Sequence, residues 1–233
     1  PWDELILLSI EMKEYTYEDP AGRSKIVLIL LTCLAVLNLV AAYSSYLEYQ
    51  LLDSIRGGME ISSEVADASD SRQGLIGITQ TVLYLVTTVF FARWILRISR
   101  NAHSVAPLSQ RYTPGWAIGY FFIPIVCLWR PYQALRDAYE SFLDLSRDGK
   151  DNVIFPLWWF AWIVSNILGR LLLQSTMEAE ELDEMMHASL ITVGSDSFDI
   201  FLNIIAIFMV TMVTRSCISH HNNQQGEPML SGG

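Results

Sequence analysis

Apolar residues gather into four long runs separated by polar stretches. The first covers residues 26–46 and is broken only by Asn38 and small hydroxyls. The second covers 74–91. The third, 153–173, contains Ser165, Asn166 and Arg170, and the fourth, 198–213, has Asp199 at its start and Arg215 past its end. About 20 apolar residues of helix cross a hydrocarbon core, so the pattern predicts four transmembrane helices. At the end of the second run, Arg93 and Arg97 are expected to snorkel toward the interface. A fifth apolar stretch, 115–129, has 15 residues, with Pro124 inside it and Pro114 and Pro131 flanking it. That is short for a crossing, and an internal proline removes a backbone hydrogen bond and kinks a helix. Broken backbone is tolerated at membrane depth only where protein or water covers it. The stretch is therefore either a short kinked crossing or a re-entrant hairpin.

Charge separates these readings. Stretches 48–72 and 170–199 hold 3 of the 15 Lys and Arg residues (Arg56, Arg72 and Arg170), beside many acids, and the other 12 lie elsewhere. The positive-inside rule counts Lys and Arg and largely ignores acids, so it puts these two stretches outside and both termini and the 93–111 loop in the cytoplasm. Four crossings plus a re-entrant 115–129 satisfy every loop. Five would put the Arg215 tail outside and the second acidic stretch inside, so four are preferred. The chain divides into a leader (1–24), one membrane domain (25–217) and a flexible cytoplasmic tail (218–233). The acids of the leader do not suit a signal peptide. Its Trp2, Leu5, Ile6, Leu8 and Met12 suit a short interfacial helix or a frayed tail with anchoring hydrophobes. The polar tail 222–233 is expected to be disordered. Two spans joined by an acidic stretch of about 25 residues occur twice, which resembles a duplication with too few residue matches to claim one.

Composition agrees. The 233 residues are 52% hydrophobic and 17% charged, against about 25% charged in a soluble domain, and the mean hydropathy is +0.30. This excludes a disordered chain and disfavours a soluble globular one. A net charge of −10 gives no electrostatic reason to bind nucleic acid. Cys33, Cys127 and Cys217 form no CxxC and read as free thiols. No histidine lies inside an apolar run, so a transmembrane haem pair is absent, and His220-His221 reads as part of a solvated tail. There is no HExxH, GxSxG or Walker loop. The acids Glu178, Glu180, Glu181, Asp183 and Glu184 lack the order of a calcium loop and read as the solvated face of an outer helix. The expectation is a protein that is not an enzyme and has no cofactor and no metal.

The densest local signal runs from Arg111 through Gln133. Thr113-Pro114 reads as a helix start, Thr capping and Pro in the first turn, and Pro131 starts the next helix in the same way. Gly115 and Gly119 form a GxxxG that lets helix backbones approach closely. Trp116 and Trp129 suit interfacial depth. The block Thr113-Pro114-Gly115-Trp116-Ala117, Gly119, Pro124, then Leu128-Trp129-Arg130-Pro131-Tyr132, is followed by Trp158, Trp159 and Trp162 and by Ser165-Asn166-Ile167. It resembles a bacterial multi-pass membrane family, the domain of unknown function 4328, over roughly residues 20 to 215. The acidic outer stretches and the leader are less family-like. The resemblance implies a bacterial integral membrane protein, with plasma (inner) membrane as its place, and brings no activity or substrate. The candidate packing or binding residues are Pro114, Gly115, Trp116, Gly119, Pro124, Trp129, Arg130, Pro131, Trp159, Trp162 and Asn166.

Residues 131–147 read as an amphipathic helix, with Tyr132, Leu135, Tyr139, Phe142 and Leu143 on one face and Asp137, Glu140, Asp144 and Asp148 on others. It is not basic enough to sense lipid, so packing on the bundle or a partner is favoured. The polar residues within the runs are neutral, which argues against a proton-coupled pump. They read as inter-helix hydrogen bonding, with a polar pocket lined by Asn38, Gln80, Asn166 and Asn203 as the alternative. Arg170 either pairs with an acid such as Glu178 or snorkels. The expected fold is an all-α integral membrane bundle of four long transmembrane helices, a short Pro-broken fifth segment and an amphipathic interfacial helix. The expected role is a non-catalytic accessory or scaffold subunit of a membrane complex, or a homo-oligomer, with the lipid bilayer and a membrane protein as partners. The alternative is a small-solute transporter or channel built around 114–131, since discontinuous helices build transport sites. A lipid-acting enzyme ranks third.

Overall fold

The computed structural model describes residues 15–123, 125–143, 153–179 and 181–226, without the side chains of Leu108 and Glu178. Among them there is no strand. The helices are α1 (Ala21–Arg56), α2 (Ser63–Val105), the single turn α3 (Trp116–Gly119), α4 (Arg130–Glu140), α5 (Ile154–Glu178) and α6 (Leu182–Gly226). The four long helices α1, α2, α5 and α6 are each long and apolar enough to cross a membrane. The apolar leader residues 2–12 lie outside the described residues.

These helices outlast the apolar runs that predict them. The 43 residues of α2 make a rod about 65 Å long, against about 30 Å of hydrocarbon. The acidic stretches are therefore mostly helix rather than loops of about 25 residues. Only 57–62 links α1 to α2, and only 179–181 links α5 to α6. Asp53, Glu64, Asp67, Asp70, Asp183 and Glu184 are spaced along exposed helix, and nothing breaks α1 until Gly57-Gly58. There Gly58 takes φ 87°. Its amide donates to the Ile55 carbonyl at 2.9 Å and that of Met59 to the Ser54 carbonyl at 3.1 Å, the bond pair of a Schellman stop. At the other end α6 runs on through residues 222–226, which polarity alone assigns to a disordered tail. The side-chain pairs Gln224–His220 and Gln225–His221, both 3.0 Å, support that last turn. The helix also starts earlier than the expected domain boundary, at Ala21 rather than residue 25.

α1 packs most extensively on α6, with α2 on the other flank of α1 and α5 on the other flank of α6. The hydrophobic core sits at one end of this bundle, the end that carries residues 15–20 (the leader end). Val27, Trp94, Ile98, Phe155, Met209, Val210 and Val213 are fully buried there. Toward the opposite, acidic end, α2 opens out, and most of its apolar stretch is not buried. Leu75, Ile78, Val82 and Leu85 point outward, a surface that suits lipid.

α4 closes the leader end. Pro131 stands in its first turn, and Ala134, Leu135, Ala138 and Tyr139 are buried at helical spacing. It ends at Glu140, shorter than the periodicity suggests, and 144–150 lie outside the described residues. Asp137 is not on a polar face as expected but buried, because Arg111 (3.5 Å) and Arg136 (3.4 Å) meet its carboxylate.

Candidate functional site

Two features stand out: the broken aromatic segment between α2 and α4, and a set of polar layers across α1, α2 and α6. In the segment, one turn of α3 is followed by short 3₁₀ turns at Tyr120–Phe122 and Val126–Leu128. Pro124 lies outside the described residues. The Arg130 guanidinium bonds the Tyr112 hydroxyl and lies 5.0 Å from that ring's centre. The two ends of the segment therefore meet. Pro114 and Pro131 are buried beside them, and Trp116 and Trp129 are partly exposed. Thr113 opens α3 with its carbonyl, which accepts from the Trp116 and Ala117 amides, and not with a side-chain cap.

The glycines play another part than the expected close helix contact. A Cβ at Gly115 would meet nothing within 4 Å, whereas one at Gly119 would come 2.9 Å from the Trp116 ring. Gly119 thus makes room for Trp116, which stacks with Tyr120 at 5.3 Å. From the far side, Trp159 of α5 donates its indole N–H to the Leu128 carbonyl at 2.8 Å. Trp159 stacks on Trp162 at 4.5 Å, and Phe121 sets its edge against both. The candidate residues Trp159 and Trp162 are therefore what hold the broken segment.

At the leader end, the Trp94 indole donates to Thr214 Oγ1 at 3.1 Å, and Thr214 donates to Ser24 Oγ at 3.1 Å. Asn101, fully buried, exchanges bonds with the Glu18 backbone (3.2 and 2.8 Å) and touches Cys217 Sγ at 3.4 Å. Arg97 does not snorkel. It is buried and pairs with Glu18 at 2.5 Å, because residues 15–20 strap across α2 and α6 and bring a carboxylate to it. Desolvation acts to raise the Glu18 pKa, but Arg97 and Arg23 outweigh it and hold the carboxyl below its usual range. Tyr17 stacks on His221 at 3.6 Å. Desolvation, then the neighbouring Cys217 and Asp19, push its hydroxyl up to about 12.

The middle layer overturns one expectation. Gln80 Nε2 donates to Asn38 Oδ1 at 3.1 Å and to Asp196 Oδ1 at 2.9 Å. Asn38 and Gln80 lie well inside the apolar runs of α1 and α2, so Asp196 does too. Asp199 follows one turn on, accepting from Ser165 of α5 at 2.5 Å. Acids thus stand within the apolar depth of the bundle. Sequence reasoning missed Asp196 because it precedes its own helix's apolar run. The signal was the i,i+3 spacing of Asp196 and Asp199 at the head of that run. The four-residue pocket, the alternative to inter-helix hydrogen bonding, does not form. Asn38 and Gln80 meet, Asn203 is buried, and Asn166 faces out from α5 with its amide on the Trp162 carbonyl at 2.8 Å.

A third layer closes the acidic end, where Glu48 accepts from Gln73 at 2.8 Å and from Ser189 at 3.3 Å, and Arg72 donates to Ser44 at 2.9 Å. Arg170 is exposed, and the side chain of Glu178, its expected partner, is outside the described residues.

No curated protein and no solved structure matches the chain. A family model does, over residues 58–215. The match takes in α2, the aromatic segment, α4, α5 and most of α6, and it leaves out α1, which the resemblance read from the sequence had included. With more than half of its length matched, the chain belongs to the family described as a domain of unknown function, DUF4328.

Proposed function

We propose that this chain is a non-catalytic subunit of the bacterial plasma membrane that associates laterally through the outward face of α5, with a second copy or another membrane protein. One observation carries the reading. Asn166, Gly169 and Arg170 form a single exposed stripe on α5, beginning next to Ser165, at the depth of Asp199. An amide facing hydrocarbon is unfavourable, while small residues and amides are what helix interfaces in membranes use. Gly169 has open space around it, which suits a facing helix. The leader end is assigned to the cytoplasm, on the 12 to 3 division of basic residues. The 115–129 segment enters and leaves there as a re-entrant hairpin, a reading that the Tyr112–Arg130 contact supports. The test is cross-linking of Gly169→Cys in native membranes in a background without the other cysteines, together with mass measurement in mild detergent. A strict monomer with no co-purifying protein and no cross-link removes the proposal.

A second reading, a small-solute transporter or channel beside the broken 114–131 segment, is favoured by Asp196, since ionisable residues at membrane depth usually serve a path or a relay. Flux into proteoliposomes separates it from the first, and no flux over a broad solute panel discards it.

A further inference from the structure

Asp196 and Asp199 bring two carboxylates to a depth where only neutral groups bond them: Gln80 on Asp196 Oδ1 and Ser165 on Asp199 Oδ1. Asp196 is 7% exposed, and its second oxygen, Oδ2, is buried with no hydrogen-bond partner among the described residues. Two acids three residues apart on a helix share a face. Among the described residues no Lys or Arg pairs with either, and Arg72 of α2 is engaged with Ser44 and Ser69 nearer the acidic end. α1 contributes Asn38, with Glu48 several turns toward the acidic end. α2 contributes Gln80, together with Tyr84, whose hydroxyl lies near Asp199. α5 contributes Ser165, and its nearest basic residue, Arg170, is exposed on the outward side. Neighbouring carboxylates in low dielectric do not both stay ionised.

Beside them lies a groove of about 510 Å³ between α5 and α6. It runs from Ser175 and Ile191 toward the acidic end down to Leu168, Ser195 and Phe198. Ser195 and Phe198 are the sequence neighbours of Asp196 and Asp199, and Leu168 stands one turn from Ser165. Neither aspartate lines the groove: Asp196 turns to Gln80 of α2 and Asp199 to Ser165 of α5.

We infer that the Asp196–Asp199 pair is a proton-binding site, holding one exchangeable proton. In the exchange a hydronium gives its proton to Asp196 Oδ2. One O–H bond forms, one breaks, and a water leaves. The unpartnered oxygen is the acceptor, and burial, with the neighbouring charge of Asp199 adding to it, makes protonation favourable. This inference does not rest on lateral association, and its test does not depend on oligomeric state.

The full chain is reconstituted in vesicles of an ether phospholipid, which lacks ester carbonyls, and its infrared carboxylic-acid band is followed with pH. The expected result is a protonated carboxyl band that outlasts, as pH rises, the range near about 4 in which exposed aspartates ionise. Asp196→Asn removes it. Asp199→Asn, by removing the neighbouring charge, shifts its midpoint down by about one pH unit or more. A wild-type protein whose acid band disappears together with those of exposed aspartates overturns the inference, as does a band unchanged in Asp196→Asn. If Asp196→Asn does not fold, the wild-type band and the direction of the Asp199→Asn shift decide. Sodium, compared with choline at fixed pH, is the control. Abolition of the band by sodium assigns the site to a metal cation and overturns the proton assignment.

Discussion

The Trp94 indole N–H and the Thr214 hydroxyl meet at 3.1 Å across 120 residues of sequence, with Trp94 wholly buried. Thr214 passes the chain of bonds on to Ser24, so one hydroxyl joins three helices. Thr214→Val keeps the shape and leaves the indole donor and the serine hydroxyl without their partner. A buried group stripped of its partner loses about 1–3 kcal/mol. The unfolding midpoint in detergent is expected to fall accordingly, and an unchanged midpoint would show that this junction contributes nothing to stability.

The strap formed by residues 15–20 is expected to respond to pH through Glu18. Its carboxyl sits below the usual range in the folded chain, so it contributes stability that is complete above its unfolded pKa, about 4.3, and is lost as pH falls through the lower folded value. Amide exchange in residues 15–20 and Asn101 should therefore rise on acidification below that range while α6 stays protected. Glu18→Gln should exchange fast at every pH. Equal protection of the strap in that variant would mean that the Arg97 pair does not hold it.

Gly115 and Gly119 should separate cleanly under alanine substitution. Open space surrounds Gly115, while a Cβ at Gly119 would lie 2.9 Å from the Trp116 ring. Gly115→Ala is expected to be neutral within about 0.5 kcal/mol. Gly119→Ala displaces Trp116 from Tyr120, with a loss of about 1–3 kcal/mol, the range for overpacking, and a change in tryptophan emission. If the two variants behave alike, a helix-contact role for the pair is restored.

Sidedness can be read with an impermeant thiol reagent on intact cells, after replacing Cys33, Cys127 and Cys217. Asp67, Glu140 and Ser219 are all exposed. Cysteine at position 67 should label from outside, and cysteine at 140 or 219 only after permeabilisation. Labelling of position 140 from outside would give the chain five crossings.

Much of this fold is legible in the sequence, because apolar runs near 20 residues leave few alternatives to membrane helices. Pro131 opens α4 as its position implies. What the runs hide is how far each helix continues, since a polar stretch without glycine or proline stays helical once begun; Gly57-Gly58 shows where that stops. Within the site, Trp159 and Trp162 are apparent from composition, yet the Leu128 carbonyl they cover is visible only in three dimensions. Arg97 and Asp137 were misread for one reason. A charge looks solvent-facing along a sequence until a distant partner, Glu18 or Arg111, arrives beside it.

Each of the three polar layers takes at least one group from α6: Thr214, Asp196 and Ser189. Ribosomes make that helix last among the long four, its first residue 77 positions after the last of α2. Until then Trp94, Gln80 and Glu48 lack those partners in the nascent protein. The early hairpin is therefore an unfinished intermediate during biosynthesis, one that membrane insertion machinery must shelter. A stop codon within α6 would turn it into a substrate for quality-control proteolysis rather than a smaller version of the same bundle.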